Sequence, residues 1–200
     1  MSTIPQIYDQ SELALAVYAN LTPGVTNDLV RREALVAAGF SAKQAEEFAK
    51  KYPIVVSQFN DTPDEGGMGT SFSATVFKDA VGNLTLAIRG TAELFASPSD
   101  LFPTDATIAT SGVGYDQVLA MWNWWQRVSN PADAPETQYR FVATPADLSH
   151  ATWLSHAGAG NTGLWLEWYS GSASGELVEA LAADGDHKLD IAGHSLGGHL

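Results

Sequence analysis

Gly193-His194-Ser195-Leu196-Gly197 follows a run of strand-forming residues and has the pattern of a nucleophile elbow. In such an elbow a strand turns sharply into a helix and lifts a serine hydroxyl above the edge of a sheet. The turn crowds its flanks, so the positions two before and two after the serine, Gly193 and Gly197, have to be small. The backbone N–H of Leu196 then faces the oxygen that gains charge when Ser195 attacks a carbonyl, and the helix N-terminus adds favourable partial charge. Average glycine usage produces a bare Gly-x-Ser-x-Gly in roughly one chain in ten to twenty of this length, so a Gly-rich turn with an incidental serine is the plainer alternative. Leu189, Ile191 and Ala192 weigh against it, because they supply a strand where the elbow needs one.

The rest of the chain must build the sheet. Its first third reads as three short helices. Asp9 with Glu12 is the expected start of the first, and Leu13, Val17 and Leu21 share a face. The second spans about 27–38 and stops at Gly39; the third opens with the capping box Ser41/Gln44 and carries Ala45, Phe48, Ala49 and Tyr52 on one side. A strand is expected at 54–59, a polar Gly-rich loop at 61–70, and a hairpin of 71–78 and 84–88 joined by 79–83. Residues 92–113 lack periodicity. A helix over 115–129 places Tyr115, Val118, Leu119, Trp122 and Trp125 on one stripe, widened by Met121 and Trp124. A short strand at 139–143, an irregular aromatic stretch at 144–172, a helix at 176–183 and a strand at 187–192 complete the reading. Helices alternating with strands point to an α/β sheet.

The segment 190–200, from Asp190 through Gly193-His194-Ser195-Leu196-Gly197-Gly198 to Leu200, resembles the elbow of the class 3 lipases, an α/β-hydrolase family of lipases, phospholipases and esterases. Upstream, Leu84-Thr85-Leu86-Ala87-Ile88-Arg89-Gly90-Thr91 is similar to the family strand that ends in Arg-Gly-Thr or Arg-Gly-Ser. Gly112-Val113-Gly114-Tyr115 is similar to the step that begins the family's next long helix. The three landmarks, in family order, cover about 84–200. The resemblance implies a mainly parallel α/β-hydrolase-like sheet with flanking helices. It assigns Ser195 as nucleophile and Thr91 with Leu196 as oxyanion-hole donors. Residues 1–52, which match no family motif, are expected as a helical extension packed on the core, with 53–200 the N-terminal part of the hydrolase domain. The stretch 131–172 looks like an insertion; with 92–113 it is a place for a lid or acyl-binding wall, or else a surface excursion.

An α/β-hydrolase triad runs Ser, then Asp or Glu, then His. Five residues follow Ser195, so the expectation is an N-terminal piece whose acid and base lie beyond Leu200, inactive by itself. His194 would point away from the hydroxyl, and His199 lies a turn into the new helix. His150, His156 and His187 precede the serine, the wrong order for this fold.

The 200 residues carry 10 basic and 23 acidic side chains, a net charge of −13, which disfavours nucleic acid and anionic lipid heads as partners. Absence of cysteine excludes disulfides, thiolate metal sites and a Cys nucleophile. No membrane span and no N-terminal signal peptide is apparent, so cytoplasmic residence and export through a C-terminal signal both stay open. Gly158-Ala159-Gly160-Asn161-Thr162-Gly163 fits Gly-x-Gly-x-x-Gly but lacks the helix that a dinucleotide site needs. Gly66-Gly67-Met68-Gly69 is half of a calcium-binding repeat in one copy, and Asp184-Gly185-Asp186 reads as a turn. No cofactor or metal is expected here, a structural calcium in a longer parent aside. The expected function is a serine ester hydrolase working through an acyl-enzyme on a small-molecule or lipid ester, in contact with a lipid interface where the ester is a lipid. An acyltransferase or thioesterase on the same fold, and a non-catalytic binding module, are the alternatives.

Overall fold

Thr3 opens the first helix, α1 (Ile4–Ala16), in a computed structural model that describes residues 3–60, 70, 72–89, 115–156, 160–183 and 189–193. The Thr3 N–H donates to Gln6 Oε1 at 2.8 Å, closing a capping box with Pro5 in the first turn. This corrects the expected start at Asp9. Asp9 lies inside the helix, where its carboxylate accepts from Tyr52 Oη at 2.9 Å and pairs with Lys51.

Local chemistry sets the next two helices as expected. Asn27 caps α2 (Asp28–Ala37) by accepting from the Leu29 N–H at 3.1 Å. Gly39, at φ 108°, closes it with Phe40 N–H bonded to Leu35 O and Gly39 N–H to Val36 O. Ser41 and Gln44 form the predicted box on α3 (Ala42–Lys51), and Ala45, Phe48, Ala49 and Tyr52 are all buried. The buried Arg31 reaches from α2 to the end of α3, donating to the carbonyl of Tyr52, its C-cap, and to that of Pro53 just beyond.

The chain divides into two units, Met1–Ala120 with Glu179–Leu200, and Met121–Val178. In the first, four strands are ordered β1-β2-β3-β7: β1 (Ile54–Asn60), β2 (Ser73–Lys78), β3 (Leu84–Ile88) and β7 (Leu189–Gly193). A core of Leu13, Val17, Leu35, Phe40, Phe48 and Tyr52 from the helical segments meets Val55, Phe77, Ala87 and Ala192 from one face of this sheet. Phe48 stands edge-on to Phe77 at 5.5 Å between centroids. The expected hairpin is present, with Lys78 opposite Leu84. Asp79 organises its turn by accepting from the N–H groups of Val81 and Asn83 and from the Asn83 side chain.

Two corrections concern this sheet. It is mixed rather than mainly parallel: β1/β2 and β2/β3 are antiparallel and only β3/β7 is parallel. A connection as short as 79–83 can join only antiparallel neighbours, whereas the long path from β3 to β7 permits a parallel one. Residues 71–78 alternate in sequence, with Phe72, Ala74 and Val76 on one face, but this does not divide core from solvent, since Ser73, Ala74, Thr75, Val76 and Phe77 are all buried. Their hydroxyls are matched, as when Thr75 Oγ1 accepts from Gln58 Nε2 at 2.9 Å.

In the second unit the stretch expected to be irregular forms a sheet. Strands β4 (Pro135–Val142), β5 (Ala151–His156) and β6 (Gly160–Ser172) are ordered β4-β6-β5, all antiparallel, and a 3₁₀ turn at Leu148–His150 leads into β5. Trp153 and Trp165 face each other across β5 and β6 with rings 5.0 Å apart. The buried Glu167 accepts from Arg140 at 2.8 Å and from the Ala146 N–H at 2.7 Å; these bonds hold its carboxyl below the usual carboxylate range despite burial.

The helix α4 (Tyr115–Ser129) has the expected bounds and crosses from one unit into the other, but the predicted stripe is not the buried one. Gln117, Asn123, Trp124 and Val128 are buried, while Trp122 is 49% exposed. Burial of the amides is possible because Gln117 donates to Thr70 O at 3.1 Å, and Asn123 bonds both the N–H and the carbonyl of Tyr139. A last short helix, α5 (Val178–Ala183), precedes β7.

Candidate active site

Strand β7 pairs with β3 in parallel register from Leu84↔Leu189 to Ile88↔Gly193. The two strands therefore end side by side at the same edge of the sheet. Gly193, the first small residue of the predicted elbow, is the last residue of β7 and is exposed. Ser195, Leu196 and Gly197 lie outside the described residues, and so does Thr91. What is described is the pair of strands that carries them.

Arg89 follows β3 directly. Its N–H donates to Ser73 O at 2.9 Å, extending the β2/β3 ladder by one bond, and its guanidinium lies 5.9 Å from the centre of the Tyr18 ring. Ala192 belongs to the helix-lined core, whereas Ile191, pointing the opposite way, is 63% exposed.

Beside Gly193 a cleft of about 450 Å³ opens against α1, lined by Ile7, Gln10, Ser11, Ala14, Leu15 and Tyr18. Sequence reasoning missed these residues. The available signal was the surplus of apolar side chains on α1: Leu13 and Val17 fill the core, leaving Ile7 53% and Leu15 36% exposed. Behind this helix, burial together with the Asp9 carboxylate pushes the Tyr52 phenol far above its ordinary value, so Tyr52 stays a neutral donor to Asp9.

Of the histidines, His150 stacks on Trp168 in the second unit, with centroids 3.9 Å apart. The backbone of His156 ends β5, and His187, His194 and His199 lie outside the described residues. So do 92–113, Gly66-Gly67-Met68-Gly69 and Asp184-Gly185-Asp186. The Gly-x-Gly-x-x-Gly run continues into strand β6 instead of a helix, which removes the context for a dinucleotide. Among the described residues no cluster of three or more His, Asp or Glu could hold a metal ion, and no helix is long and apolar enough to cross a membrane. Comparison of the chain with protein-family models, with curated proteins and with solved structures yields no match.

Proposed function

We propose that Ser195 is the nucleophile of a serine ester hydrolase of the lipase and esterase type, with the N–H of Leu196 and a donor from Thr91 forming the oxyanion hole. The observation that carries this reading is the parallel pairing that sets Ile88 opposite Gly193. Neighbouring strands lie about 4.8 Å apart, and two residues of chain reach at most about 7 Å. Ser195 is two residues past Gly193 and Thr91 three past Ile88, so the pairing supports a reading in which both act at one sheet edge. An antiparallel pairing, or strands on opposite flanks, would have separated them.

In this reaction Ser195 Oγ forms a bond to the ester carbonyl carbon while its proton passes to a general base. The oxyanion so formed is held by the two donors. Its collapse breaks the C–O bond, and the proton leaves with the alcohol. Water then attacks the acyl-enzyme, releasing the carboxylic acid and restoring the hydroxyl. No described histidine is assigned as the base, since His150 belongs to the aromatic packing of the second unit.

The test is hydrolysis of p-nitrophenyl butyrate by the intact protein and by Ser195→Ala. Turnover that vanishes with the hydroxyl supports the reading, and equal turnover in both proteins contradicts it.

A further inference from the structure

We infer that the cleft between α1 and Gly193 receives the acyl chain of the ester, making Ile7, Ser11 and Leu15 determinants of chain-length preference. The inference rests on the hydrolase reading for its substrate, though the lining residues it uses are all among the described ones. Three observations support it.

The cleft reaches the end of β7. Gly193 forms part of its wall, and Tyr18, at its far end along the helix, carries the guanidinium of Arg89. A chain lying there would have one end against Gly193, the last residue of β7.

Its lining is also uncharged. In a protein of net charge −13, none of Ile7, Gln10, Ser11, Ala14, Leu15, Tyr18 and Gly193 is ionised at neutral pH. A hydrocarbon chain needs no counter-charge from these side chains; the Arg89 guanidinium lies against the Tyr18 ring at one end.

Its shape suits a chain. The volume of about 450 Å³ is within the range of small-ligand sites. From Ile7 to Leu15 the helix rises roughly 12 Å, enough to lay a medium-length chain along the axis. Ile7, Ser11 and Leu15 are spaced four residues apart and follow one ridge of α1, with apolar side chains at either end that the core does not use. The first helix shares no motif with the lipase resemblance.

Binding is best measured in the intact protein carrying Ser195→Ala, where the ester is not consumed. Titration with methyl decanoate should move the backbone amide resonances of Ile7, Ser11 and Leu15, and methyl acetate should not. Adding Ser11→Trp, which fills the cleft, or Ile7→Ser, which removes apolar surface, should weaken methyl decanoate binding about tenfold. Val36→Trp, on the exposed side of α2, should leave it unchanged. Equal affinity in all these proteins, or shifts centred elsewhere, would overturn the assignment. The hydrolase reading fails separately: a full-length protein with Ser195 and its own acid and base that binds methyl decanoate in the cleft but does not hydrolyse p-nitrophenyl acetate contradicts that reading and supports the cleft.

Discussion

Ile88 and Gly193 are register partners at the last residues of β3 and β7, the one parallel pair among the described strands. Both strands point their C-terminal ends the same way, and that edge is where ligands approach an open α/β sheet. The proposed roles of Thr91 and Ser195 depend on this single pairing.

Thr91 is predicted to act in catalysis rather than in folding. Thr91→Val should lower kcat for p-nitrophenyl butyrate by about 10²–10³ in the intact protein, the usual loss for one oxyanion donor, with KM little changed. Thr91→Ser should recover most of the rate. A valine variant with full turnover would remove Thr91 from the proposed hole.

Arg31 is predicted to be the main tie between α2 and α3. It is 5% exposed and donates to the carbonyls of Tyr52 and Pro53. Arg31→Met keeps most of the volume but leaves both acceptors without that donor, a loss of about 2–4 kcal/mol in urea unfolding. A loss below about 1 kcal/mol would show that water takes over the contact.

Asn123 is predicted to fix α4 against β4, because its amide donates to Tyr139 O at 2.7 Å and accepts from Tyr139 N at 2.9 Å. Asn123→Leu should cost about 2–3 kcal/mol, and Asn123→Asp, which keeps only the acceptor, should also be destabilising. Amide exchange at Tyr139 gives the sharper readout, since its protection should fall in Asn123→Leu.

Asp79 supplies a pH dependence. Partial burial works to raise its pKa, but the Asn83 side chain and the N–H groups of Asn83, Val81 and Gly82 outweigh that and hold the carboxyl below its ordinary value. Its folded pKa is thus below the unfolded one of about 3.9, so its contribution is complete above that value and is lost as pH falls through the folded pKa. The group is largely exposed, which limits the effect to about 0.5–1 kcal/mol. Asp79→Ala should lower stability by that amount near neutrality, and the gap should narrow as pH falls below the unfolded pKa of about 3.9. A gap independent of pH would assign the effect to the turn backbone instead.

Elements governed by neighbours in sequence were legible in advance. Asn27, Gly39 and the Ser41/Gln44 pair delimit α2 and α3, and the Asp79–Asn83 turn sets the hairpin, because each satisfies backbone groups a few residues away. Elements governed by distant partners were not. Gly160, Gly163 and Gly171 interrupt the β6 pattern, and only pairing with β4 and β5 makes Trp153, Trp165 and Trp168 part of a sheet. The buried face of α4 was misread because Asn123 and Gln117 count as polar until their backbone partners are known. The elbow motif was visible in the letters around Ser195, whereas the cleft depends on which side of α1 the sheet leaves uncovered.

The measurement closest to the central proposal is peptide mapping by mass spectrometry after treating the intact protein with an alkyl p-nitrophenyl phosphonate. The account predicts one equivalent of phosphonate, carried on Ser195, absent from Ser195→Ala and formed more slowly in Thr91→Val. Modification at another residue, or none in a folded protein, would contradict it.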